Sequence, residues 1–76
     1  MSPKLPRITA QELLRALHKD GWDVVRQSGS HIQLRHPSKS GRVTIAHHSG
    51  RILKPATLDS ILEDAGLSAD ELRGLL

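Results

Sequence analysis

With 76 residues the chain has room for one domain, spanning 1–76, and one core, because a chain this short buries only about 60% of the surface it exposes unfolded. Its hydrophobic residues amount to 37% and are chiefly Leu, Ile and Val, with Trp22 the sole aromatic residue, and the lack of cysteine excludes both a disulfide scaffold and a thiolate zinc site. The net charge of +3 hides a division: residues 1 to 54 carry ten Lys and Arg against three acids (+7), while residues 55 to 76 carry Arg73 against five acids (−4). A basic part attracts a polyanion through counterion release, which makes nucleic acid a reasonable partner, a plain solvated surface being the alternative.

The opening Met1-Ser2-Pro3-Lys4-Leu5-Pro6-Arg7 lacks the apolar run of a signal peptide. No stretch approaches the roughly 20 apolar residues of a membrane span, so the expectation is a cytoplasmic protein without a membrane partner. Thr9-Ala10-Gln11-Glu12 has the form of a capping box, with Ile8 and Leu13 as its hydrophobic staple. These residues predict a helix over 10 to 20, with Leu13, Leu14 and Leu17 on one face and Gly21 at its end.

Beyond Gly21 the period becomes two. Trp22, Val24 and Arg26 alternate with Asp23, Val25 and Gln27, and Ser28-Gly29-Ser30 makes a turn. His31 to His36 alternate next, with Ile32 and Leu34 facing the core and His31, Gln33 and Arg35 facing away. A turn over Pro37 to Gly41 leads to a third strand, Arg42 to Ala46, which sends Val43 and Ile45 inward; the short connections make an antiparallel meander. His47 to Lys54 reads as a polar, basic loop, and Pro55 suits the first turn of a helix carrying Leu58, Ile61, Leu62 and Ala65 as far as Gly66. Leu67, Ser68 and Glu71 repeat the staple and capping box before a short final helix with Leu72, Leu75 and Leu76 as its apolar face.

The expected fold is therefore α+β, with the α-β-β-β-α order of the double-stranded RNA-binding domain, a three-stranded antiparallel sheet and helices covering one face. Trp22 alone cannot build a base-stacking sheet, so contacts to RNA should go mainly to phosphate and sugar.

Several blocks in order and spacing carry a resemblance to a known family. They are Gly21-Trp22 after a leucine-rich helix, Gly29-Ser30-His31 before an alternating strand, Val43-Thr44-Ile45-Ala46-His47-His48, Lys54-Pro55-Ala56-Thr57-Leu58, Ile61-Leu62 and Ala65-Gly66-Leu67. From about Pro6 to Leu75 the chain resembles the HicA (YcfA-like) toxins. That resemblance implies a messenger-RNA interferase held inactive by a HicB antitoxin, with the family's essential histidine at His31 and its recurring histidine after the third strand at His48. Ala46 and Ala56 depart from the proline and glycine expected there.

Metal-independent RNA cleavage requires a group that accepts the proton of a 2′-hydroxyl as that oxygen attacks phosphorus, and an imidazole titrates in the right range. The Gly29 and Ser30 amides can donate to phosphate oxygens, and Arg26, Arg35 and Lys54 are candidates to stabilise developing charge. One histidine does not obviously supply both base and acid. His36, His47 and His48 are candidates for the second role, each with a purely local packing role as the alternative. No native metal or other cofactor is expected. An RNA-binding module without catalysis and a protein that only engages an antitoxin are the competing functions.

Overall fold

The computed structural model describes residues 5–76, so the first four residues of the opening stretch lie outside it. Helix α1 (Ala10–Lys19) begins as its sequence predicts. The Glu12 N–H donates to the Thr9 hydroxyl (3.2 Å) and the Glu12 carboxylate accepts from the Thr9 N–H (3.0 Å), while Ile8 and Leu13 are both buried. The helix stops one residue short of expectation. Asp20 is its cap, Gly21 takes φ +105°, and the N–H groups of Gly21 and Trp22 reach back to the carbonyls of His18 (3.0 Å) and Leu17 (2.9 Å).

Strands β1 (Asp23–Ser28), β2 (His31–Arg35) and β3 (Val43–Ala46) form an antiparallel sheet in sequential order. As expected, Ile32, Leu34, Val43 and Ile45 are buried on one face. Strand β1 departs from uniform alternation. Val24 pairs with Leu34, but Arg26 pairs with Gln33, leaving Val25 as the extra residue of a bulge. Directly opposed residues share a face, so the bulge carries Arg26 away from the face of Val24 and places it beside Gln33 on the outer side. Strand β1 is also an edge, and all six of its residues are exposed.

Helices α2 (Pro55–Ala65) and α3 (Ala69–Leu75) complete the α-β-β-β-α-α order. Leu58, Ile61, Leu62 and Ala65 meet the inner residues of the sheet and of α1 in the core, and Gly66 ends α2 in the left-handed conformation. The preceding loop is tied down by pairing of Ile52 with Thr9 and by a bond from the Leu53 N–H to the Ile8 carbonyl (2.8 Å). In α3 the Ser68–Glu71 capping box forms and Leu72 is buried. Leu76, expected on the apolar face, is instead 49% exposed, because α3 ends at Leu75 and the last residue lies past the core.

His36 holds three segments together. Its Nδ1 accepts the N–H groups of Ser38 (3.0 Å) and Lys39 (3.2 Å), so the ring proton sits on Nε2 and is donated to the Asp20 carbonyl (2.7 Å). The ring meets Trp22 edge-on at a centroid distance of 5.4 Å. Lys39 extends the clasp, donating to the Asp20 carboxylate (2.9 Å) and to the Ala65 carbonyl at the end of α2 (3.0 Å). A Cβ on Gly21 would stand 2.7 Å from His36 Nε2, so the position is closed to side chains by space as well as by its positive φ.

Two predictions follow from this architecture. Gly21→Ala should cost about 1–3 kcal/mol in urea unfolding, and part of that cost should vanish in the His36→Ala background. Strict additivity of the two would show that ring and glycine do not press on each other. In α3, bonds to the Ser68 backbone and side chain hold the Glu71 carboxyl below its ordinary range. Its folded value is depressed, so the stabilisation is complete above the ordinary glutamate range and is lost as the pH falls through the folded value. Glu71 should accordingly titrate lower than an unpaired glutamate by NMR, and Glu71→Gln should remove that component of acid sensitivity.

Candidate functional site

The outer face of the sheet carries the polar half of each strand's alternation. His31 stands at the start of β2, immediately after the two-residue turn Gly29–Ser30, with Ser28 opposite it on β1 and Ala46 opposite it on β3. The Ser30 carbonyl accepts the His47 N–H (2.7 Å), which continues the sheet past the end of β3 and fixes the turn beneath His31. The small side chain of Ala46 leaves the flank of the imidazole open on the β3 side. Gln33 lies further along this face, paired with Arg26 and accepting a bond from the Arg42 guanidinium (3.2 Å). Arg35 follows at the far end, opposite Asp23. The three arginines thus surround Gln33, an arrangement available to Arg26 only because of the bulge at Val25.

Between β3 and α2 runs an open cleft of about 460 Å³. His31, Thr44 and Ala46 form its sheet wall, and Ala56, Thr57, Ser60 and Asp64 lie along its helix wall. The spacing of 57, 60 and 64 puts these three on one stripe of α2, beside the stripe of Leu58, Ile61 and Leu62 that enters the core. A second hollow of about 330 Å³ holds His48, Arg51, Lys54 and Thr57 and is also lined by Ala46. Ala46 and Thr57 border both, so the two hollows form one trough. His31 occupies one part of it and three cation-forming side chains occupy the other. Lys54 is the N-cap of α2 and makes no side-chain capping bond there. The charge along the trough is uneven, with Asp64 at one end and Arg51 and Lys54 at the other. A polyanion is drawn to the second end and repelled from the first.

The sequence-predicted residues therefore fall into three groups. His31, His48 and Lys54 line the trough. Arg26 and Arg35 lie outside it on the neighbouring sheet face, and Gly29 and Ser30 form the turn that precedes His31 without lining either hollow. His36 is taken up by its structural bonds, and half-buried His47 lines neither hollow. Ala46 and Ala56, the two departures from the family pattern, both border the His31 cleft. Arg51, Thr57, Ser60 and Asp64 did not stand out in the sequence. The sequence showed only the apolar period of α2, and which strand its polar residues face depends on how the helix docks. Among the described residues no three His, Asp or Glu side chains gather as a metal site, and no helix is long and apolar enough to cross a membrane.

No curated protein matches the chain. A family model described as the HicA toxin of bacterial toxin-antitoxin systems matches residues 10–67, from the first residue of α1 to the residue after the Gly66 cap. That match takes in the His31 turn, the whole sheet and both walls of the trough, and the chain belongs to the HicA toxin family.

Proposed function

We propose that this toxin is a metal-independent endoribonuclease that cuts messenger RNA in the cytoplasm, with His31 as its acid–base residue and a HicB antitoxin as its inhibitor. The observation that carries the reading is the trough itself, which joins an exposed imidazole to His48, Arg51 and Lys54. His31 accepts the proton of a ribose 2′-hydroxyl. The 2′-oxygen attacks the adjacent phosphorus, the bond to the 5′-oxygen breaks, and the products are a cyclic phosphate and a 5′-hydroxyl once the departing oxygen gains a proton. His48 is the other imidazole in the connected hollows and stands as the candidate donor for that last step.

Binding rests on charge in this scheme. Arg51 and Lys54 hold a phosphate at the basic end, Arg26 and Arg35 guide the strand across the outer face of the sheet, and the Gly29 and Ser30 amides are available to phosphate oxygens beside His31. Asp64 discourages phosphate at the opposite end, which biases the strand's phosphates toward Arg51 and Lys54. An antitoxin inhibits most simply by covering His31 and the cations with acidic groups.

His31→Ala should lower cleavage of a purified RNA by about 10²–10⁴-fold while RNA binding and the unfolding transition stay unchanged, and chelators should not affect the wild-type protein. Full activity in His31→Ala refutes the catalytic assignment, and undiminished toxicity without cleavage would make the protein an RNA-binding module. Removing Lys54 or Arg51 should weaken RNA binding and reduce the dependence of log K on log salt by about one phosphate contact each. An unchanged salt slope would place the RNA elsewhere.

A further inference from the structure

A second surface lies on the helix side of the sheet, and it shares no lining residue with the trough. Here β1 is an edge: it pairs with β2 along one side only, and Val24 and Val25 are 55% and 56% exposed. Beside that edge α1 and the sheet enclose a groove of about 390 Å³. Its apolar lining is Leu14, Trp22, Val24 and Leu34, and cationic Arg15 and Lys19, one turn apart on α1, stand on its rim. His18 borders the same groove and is 3.5 Å from Asp23 of β1.

An unpaired strand edge offers backbone donors and acceptors to any extended chain laid along it, and proteins ordinarily blunt such edges. The bulge at Val25 and the charges of Asp23 and Arg26 do so in part, yet two adjacent valines remain open to solvent. A strand added to β1 would satisfy the free backbone groups, and an apolar side chain from it would enter the groove beside Val24. The rim decides which strand fits. Two copies of this chain joined edge to edge would bring Arg15, Lys19 and Arg26 of each toward those of the other, so charge opposes self-pairing. An acidic strand meets the same cations favourably.

We propose that the β1 edge and its groove form a docking site for an extended segment of a partner protein whose groove-facing positions, every second residue, hold an aliphatic side chain flanked by acidic ones. The segment pairs with β1, places one aliphatic side chain in the groove against Val24 and Leu14, and sets the carboxylates two residues before and after it, on the same face, toward Arg15 and Lys19. The trough stays uncovered, so the partner is held without its segment contacting His31.

The test uses a blocked peptide, Glu-Ser-Val-Ser-Glu-Ser, whose Glu and Val share one face and whose six residues match β1, added to the full chain. Trp22 is the only tryptophan and, though buried, lines the groove, so its emission responds to occupancy. The expected result is a saturable change in Trp22 emission together with backbone amide shifts in β1, both unaffected by His31→Ala. Val24→Glu should abolish binding, and Arg15→Glu or Lys19→Glu should weaken it by about tenfold each. The two α1 substitutions lie on an exposed helix face and keep the test valid if Val24→Glu perturbs folding. A peptide with Lys in place of Glu should not bind. Absence of binding, amide shifts centred on the β3–α2 trough, indifference to the three substitutions, or self-association through β1 without peptide would each overturn the proposal.

Discussion

The contact on which the arrangement turns is that of the His36 ring with Gly21, Trp22 and the Asp20 carbonyl. Apart from Trp22 the core is made of aliphatic side chains, which supply stability without much direction. Direction comes from this polar clasp. It fixes where the chain leaves α1, where the β2–β3 turn sits over that exit, and, through Lys39, where α2 ends. The placement of α2 against β3 then determines that Thr57, Ser60 and Asp64 face His31 across a cleft. Through Lys39, the clasp thus reaches the end of the helix that forms one wall of the trough.

Much of this was legible in the sequence because the relevant forces are local. Thr9 and Glu12, Ser68 and Glu71, and the glycines at 21 and 66 mark helix ends through bonds made within a few residues. Alternation in β2 and β3 placed Ile32 and Ile45 inward and His31 outward for the same reason. Strand β1 was less legible. Val24, Val25 and Arg26 present two valines and a long cation in a row, and nothing local says which residue the ladder skips; the pairing with β2 decides it. Leu76 failed differently, since a correct apolar pattern cannot reveal that the core ends one residue earlier, at Leu75.

The candidate site was half visible. His31 stood out by its turn and its resemblance, and Lys54 and His48 by charge and position. The acidic contribution to the trough did not, because the opposed charges of the two halves suggest separate surfaces. In the folded chain α2 brings Asp64 into the cleft that His31 occupies. The charge asymmetry of the sequence therefore becomes a gradient along one groove, a property of docking that no count of charges contains.

The bulge at Val25 carries a consequence for how such a face changes over time. Substitution replaces one side chain at one place, whereas gain or loss of a residue in an edge strand exchanges the two faces of everything beyond it. At Val25 the bulge escapes this: with Val25 absent, Arg26 would follow Val24 directly and keep its place opposite Gln33, and β2, β3 and the core would keep their register. Because β1 is bonded on one side only, losing that residue disturbs few partners. The electrostatic character of the outer face thus survives a three-nucleotide deletion at this point, because the ladder already passes over the residue that would be lost.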